Sequence, residues 1–160
     1  MNNAIIWVIV IPLLAGLLCV IWSRYARFIA LISILLTLAA CIVIVAEVYQ
    51  SGSFNHAMGS WQPGLGISLR ADALSSILLL MSMIVISAAT FYASAYFTDP
   101  VKRARFWPLW LMLVVALNAL LLSGDLFNLY VTLELLGLSA VALTALSDNR
   151  AALQAAIRYL

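Results

Sequence analysis

Charge is missing from this chain in blocks. No Asp, Glu, Lys or Arg occurs before Arg24, between Arg27 and Glu47, between Asp72 and Asp99, or between Arg105 and Asp125. Each gap leaves at least 19 consecutive uncharged residues, and a helix needs about 20 to cross the hydrocarbon core of a bilayer. Such blocks must fold as helices, because hydrocarbon offers no partner to a free N–H or C=O. Composition agrees, with 66% hydrophobic and 9% charged residues against about 25% charged in a soluble domain. The expected fold is an all-α integral membrane protein, a multi-span bundle of five full transmembrane helices and the start of a sixth. The spans fall at roughly 4–22, 28–49, 73–97, 107–123 and 126–147, and the sixth begins after Asn149.

The first span, "AIIWVIVIPLLAGLLCVIW", is too long for a signal-peptide core and has no basic region before it, so it is expected to remain in the chain. Pro12 within it leaves one backbone carbonyl without its helical donor and is expected to bend the helix. Basic residues set the orientation. Arg24 and Arg27, then Lys102, Arg103 and Arg105, then Arg150 fall in three alternate connections, while the opposite side has Arg70. That asymmetry places the N-terminus of this multi-pass protein outside and the basic loops in the cytoplasm. Cys19 and Cys41 lie in apolar spans without metal-ligand spacing and read as small core residues.

Between the second and third spans "QSGSFNHAMGSWQPGLGISLRAD" forms an outer loop over about 50–72, with turns and a short strand at "LGISLR". Asp72 sits where a helix N-cap belongs, and Asp125, after Gly124, is placed to cap the fifth helix. After Asp148 the segment "NRAALQAAIRYL" has helical character and stops without a C-cap glycine, so the working protein is expected to continue past Leu160.

Glu134 is the residue that does not belong. It lies nine residues past Asp125, about 13–14 Å into a core about 30 Å thick. An ionisable acid at that depth costs a few kcal/mol unless it is paired, wetted or protonated, and such acids are functional candidates by default. Helical spacing puts it on one face with Phe127, Tyr130, Val131, Gly137, Leu138 and Val141. Tyr130 is a candidate hydrogen-bond donor to it, and Gly137 a place where another helix or water approaches. The alternative is a structural acid paired with a neighbouring helix. Asn118 in the fourth span is either a supporting polar group or a helix-to-helix hydrogen bond. Asp72 is either a cap or a proton carrier. Glu47, near the outer end of span two, reads as a solvated acid, His56 as a loop histidine, and "KRAR" as a positive-inside anchor with contact to anionic lipid heads. Arg158 either snorkels or pairs with an acid. No nucleotide-binding glycine loop, paired-cysteine metal site or nucleophile constellation is present. Ion movement is therefore the expected chemistry, with no cofactor, no metal, no catalytic residue and no nucleic acid.

The stretch "SGDLFNLYVTLELLGLSAVAL", with "AAIRYL" after it and "ISLRADALSSILLLM" before it, resembles the antiporter-like membrane subunits. These are shared by Mrp-type cation/proton antiporters, respiratory complex I and membrane-bound hydrogenases. The "DLFNLYV" run with its following glutamate is most similar to the D-type subunit of Mrp antiporters. The resemblance implies a transporter of about fourteen helices built from two inverted repeats, each with a broken helix. On that pattern residues 1–106 form an N-terminal three-span region, and residues 107–160 open the first repeat. It also implies that Glu134 pairs with a lysine on a later broken helix that this sequence does not contain. A protonated lysine would keep Glu134 charged, and its loss would favour the neutral acid. The partners implied are other membrane subunits of a multisubunit complex, protons and Na+, with the lipid bilayer as solvent. A redox-linked proton pump and a non-conducting structural subunit remain the competing readings.

Overall fold

A computed structural model describes residues 3–57, 67–97, 99–146 and 154. Five helices carry the architecture: α1 (Ala4–Ile21), α2 (Ala26–Ser51), α3 (Ala73–Tyr96), α4 (Pro100–Leu121) and α5 (Leu126–Ala145). All five are long and apolar enough to cross a membrane. The protein is a multi-pass helical membrane protein, as its charge pattern requires. The expected start of a sixth span, together with Arg150 and Arg158, lies outside the described residues.

α4 is the centre of the bundle. It packs along α1 and α5 and also meets α2 and α3, while α1 lies on α2 and α2 on α3. Trp107, Leu111, Val114, Asn118 and Leu122 are fully enclosed along it. At Gly16 of α1 an added Cβ would stand 3.6 Å from the Leu111 Cβ and 3.8 Å from the Pro108 carbonyl oxygen. That is ordinary contact distance, so a methyl group at this position would fit against α4 without moving either helix. Cys19 and Cys41 are both free and buried, consistent with small core residues.

Two helix starts differ from the expected spans. α4 begins at Pro100, capped by Asp99, whose Oδ1 accepts from the Val101 amide at 2.9 Å. Lys102, Arg103 and Arg105 therefore occupy its first two turns and not a loop. Proline at the first helical position costs nothing there because its missing N–H has no helical acceptor to lose. α2 follows α1 through a single 3-10 turn, Ser23–Tyr25, and runs to Ser51, where Gly52 at φ +78° and ψ −166° ends it. That backbone region is one essentially reserved for glycine.

The loop contains two strands. β2 (Ser68–Ala71) falls on the expected "LGISLR" strand, and β1 (Phe54–Ala57) pairs with it antiparallel, Phe54 opposite Ala71 and Ala57 opposite Ser68. Sequence reading takes β1 as turn residues, because "SGSFNHA" is too polar and too short to show a two-residue period. The pairing, not local propensity, makes it a strand.

Pro12 and Asn118 prove to be one feature. Pro12 has no N–H, so the carbonyl of Val8, four residues earlier, loses its helical donor. The Asn118 Nδ2 donates to that carbonyl at 3.1 Å from α4. Asn118 is fully buried, and its Oδ1 has no donor among the described residues. In a membrane interior a free carbonyl is costly, so the α4 amide both satisfies α1 and fixes its register. Asn118→Leu should destabilise the protein by about 1 kcal/mol in wild type but by clearly less in a Pro12→Ala background, where residue 12 can donate to Val8. Unfolding in mixed micelles measures both, and equal losses in the two backgrounds would show the residues to be independent.

Candidate functional site

α5 is built inside out. Its buried residues are Asn128, Thr132 and Ser139, and this polar stripe faces the bundle. The Thr132 hydroxyl donates back to the Asn128 carbonyl at 2.8 Å, so part of the stripe satisfies itself. The opposite face is apolar and uncovered, with Leu126 at 85%, Phe127 at 71% and Tyr130 at 63% exposure. Glu134 stands in the middle of this bare face, exposed, with Tyr130 one turn before it. At Gly137, one turn after it, an added Cβ would meet nothing within 4 Å. A bare apolar face suits lipid, but a carboxylate on it does not.

The remaining candidates are not gathered around Glu134. Asn118 points at α1, and Asp72 lies at the far end of α3. There the Asp72 Oδ1 accepts from the Ser75 amide and the Ser75 hydroxyl accepts from the Asp72 amide, both at 2.9 Å. This reciprocal capping box accounts for the acid. The Ser75 amide, chiefly, holds the Asp72 carboxyl below the usual aspartate range. Its contact with Arg70, 3.6 Å between Nε and Oδ2 with both side chains well exposed, adds little. Glu47 differs from its expected solvated state, since it is half-buried and its Oε2 is enclosed without a hydrogen-bond donor among the described residues. His56 sits on β1, half-buried. Among the described residues no cluster of three His, Cys, Asp or Glu could hold a metal ion.

Asp125 holds two parts of the chain at once. Its Oδ1 accepts from the Asn128 amide at 2.7 Å, capping α5, while its Oδ2 accepts from the Ser68 amide at 2.8 Å. Two backbone bonds flank this contact, Arg70 N–H to the Leu122 carbonyl and Gly124 N–H to the Ser68 carbonyl, each 2.8 Å. A Cβ on Gly124 would come within 2.9 Å of the Ser68 oxygens, so only glycine allows the approach. The hairpin is thus latched to the α4–α5 turn at the end where α5 begins.

No family model matches the chain. It is 28% identical over 162 residues to the D subunit of the Na+/H+ antiporter of Alkalihalophilus pseudofirmus, covering 99% of this chain and 33% of that protein. It is 33% identical to the N subunit of the NADH-quinone oxidoreductase of Desulforudis audaxviator, covering 97% of this chain and 32% of that protein. Its relatives are antiporter-like membrane subunits. Two solved structures superpose on it. The Mrp complex from Dietzia sp. matches with TM-score 0.78 and 28% identity over 89% of this chain and 27% of that one. An archaeal membrane-bound sulfane sulfur reductase matches with TM-score 0.83 and 23% identity over 99% of this chain and 33% of that one, which speaks to the fold. The chain spans about a third of the length of these antiporter-like relatives.

The latch is the part of the fold that sequence reading missed. Asp125 is legible as a cap, but its second partner, Ser68, lies 57 residues away. The amides of Asn128 and then Ser68 hold the Asp125 carboxyl below its ordinary value. A lowered folded-state pKa means that the contribution to stability is full above the unfolded value, about 3.9. It is then lost as pH falls through the lower folded value. Asp125→Ala should cost about 1 kcal/mol from the cap alone and should flatten this acid-side loss. Unfolding at pH 3 to 7 measures it, and an unchanged acid profile would remove Asp125 from the latch.

Proposed function

We propose that this chain forms the N-terminal part of a proton-conducting transporter subunit, of the monovalent cation/proton antiporter type, in which Glu134 couples ion movement. The observation that carries the reading is the carboxylate of Glu134 on the bare face of a membrane-crossing helix, with Gly137 opening the space beside it. The similarity to proteins named as D subunits of Na+/H+ antiporters supports it. In this reading α5 crosses the membrane with Glu134 near the midplane, and a cationic side chain of a further helix stands against it. The first three helices then make up the region 1–106, and α4 and α5 open the repeat that continues through 107–160. Other membrane subunits of a multisubunit complex surround it, protons and Na+ are its cargo, and Tyr130 supports the acid.

The chemistry follows from the cost of the charge. With a cation opposite, Glu134 stays ionised, and when the cation loses its proton or withdraws, the neutral acid is favoured. One proton taken or released at Glu134 then registers the state of its neighbour. A second reading, a proton-pumping subunit of a redox complex, is favoured by the 33% identity to the N subunit of NADH-quinone oxidoreductase. A non-conducting structural subunit is the third, in which Glu134 serves only as an inter-helix pair.

Glu134→Gln keeps the size and hydrogen bonds and removes the charge. In vesicles containing the assembled full-length complex it should reduce Na+-dependent proton flux by at least tenfold at normal expression, and wild-type flux would end the coupling assignment. Flux driven by NADH or hydrogen and not by a Na+ gradient would favour the redox reading.

The orientation proposed is N-terminus outside, in a bacterial inner membrane, following the basic residues at the Arg24–Arg27 and Lys102–Arg105 end. Ser53 and Lys102 are exposed at opposite ends of the bundle, and the native Cys19 and Cys41 are buried. Ser53→Cys should react with an impermeant maleimide added to whole cells and Lys102→Cys only after lysis. The reverse pattern would invert the topology.

A further inference from the structure

At the end of the bundle where α3 stops and α4 starts, three helices enclose a cleft of about 560 Å³ that no step of the proposed transport uses. One stripe of α4 forms its floor, with Asp99, Lys102, Phe106 and Trp110 at spacings of three, four and four. Polarity falls along that stripe. Asp99 and Lys102 are exposed at the rim, Phe106 is buried, and Trp110 lies about 12 Å further along the axis than Lys102. Tyr96 and Phe97 from the end of α3 and Leu143 and Leu146 from the end of α5 supply the walls. The rings brace one another, with Phe97 stacked on Phe106 at 4.3 Å and Phe106 on Trp110 at 5.7 Å between centroids. The Trp110 indole N–H is already donated to the Thr90 hydroxyl at 2.9 Å, so the deep wall offers the cleft an apolar surface.

A charged rim of both signs above an apolar, aromatic-walled slot at a membrane boundary matches one kind of molecule, an amphipath whose head carries both charges. We propose that this cleft binds a phospholipid with a phosphoethanolamine head. Lys102 contacts the phosphate, Asp99 accepts from the primary ammonium, and the upper acyl chain lies against Phe106 and Trp110. Asp99 retains Oδ2 for that bond while its Oδ1 caps α4. A purely anionic lipid would set its charge beside the Asp99 carboxylate, which is why the zwitterionic head is the better complement. A methylated head lacks the ammonium N–H groups that a carboxylate can accept.

The test uses the full-length complex in nanodiscs of equal phosphatidylethanolamine, phosphatidylcholine and phosphatidylglycerol, followed by mass spectrometry of the lipid that survives detergent exchange. Wild type should retain phosphatidylethanolamine at least fivefold over each of the others. Asp99→Asn, which keeps a capping side chain, should erase that preference, and Lys102→Gln should lower retention of all three. Complex yield on a native gel identifies a variant that fails to assemble, and Trp110→Leu then provides a second, uncharged test that should also lower retention. Retention of phosphatidylglycerol above phosphatidylethanolamine, no preferential retention, or variants that retain lipid as wild type does would each overturn the proposal. Absence of any retained lipid would overturn it too, and would assign the cleft to another part of the chain or a neighbouring protein.

Discussion

A carbonyl that loses its helical donor inside hydrocarbon has to find another, and the packing of α1 on α4 is arranged around one such carbonyl. Pro12 releases Val8, and Asn118 answers it. The bond lies deep in the bundle, at a fully buried Asn118. Since α4 also supports α5, the position of Glu134 depends on this contact through the helix between them. Dispersion and shape fill the rest of the interface, but they do not specify register as one directional hydrogen bond does.

The same rule explains the opposite end. The α4–α5 turn cannot leave its N–H groups and carbonyls free at the edge of the membrane, and the hairpin supplies partners for them. Arg70, Ser68 and Gly124 exchange backbone bonds across the join, and the Asp125 carboxylate takes up two more amides. A loop that sequence composition marks as turns is therefore part of the frame. It fixes where α5 enters, and through the helix it fixes which face Glu134 occupies.

How much of this was legible depends on the range of the interaction. The charge-free blocks give the five helices because hydrophobic length is a local property, and Asp72 and Asp125 are readable as caps because a cap is three residues from its target. Pro12 and Asn118 are each readable as unusual, but nothing in a linear chain says that they meet. β1 and the second role of Asp125 are invisible for the same reason, since both exist only through a partner brought close by folding. The start of α4 was misplaced because "KRAR" reads as loop by charge, whereas a helix turn tolerates charge once it is clear of hydrocarbon. Glu134 was legible as a residue out of place, but its exposure on a bare face was not.

That exposure carries the argument about α5 one step further. A helix that served only to fill a membrane bundle would turn Asn128, Thr132 and Ser139 inward and leave hydrocarbon side chains outward, and along most of its length α5 does this. The charged exception among the described residues is Glu134, flanked by Gly137, which removes bulk where bulk would protect the acid from a neighbour, whereas the exposed Thr144 hydroxyl is satisfied by the Ala140 carbonyl at 2.8 Å. Lipid contact alone accounts for neither residue. A polar neighbour accounts for both, because a carboxylate needs a charge or donor within a few ångströms and a glycine lets the neighbouring backbone or water come that close. The polar stripe and the acid also face apart, so the inward hydrogen bonds of α5 can stay fixed while the group opposite Glu134 changes charge. The stripe and the Asp125 latch both hold α5 from the side and the end away from Glu134.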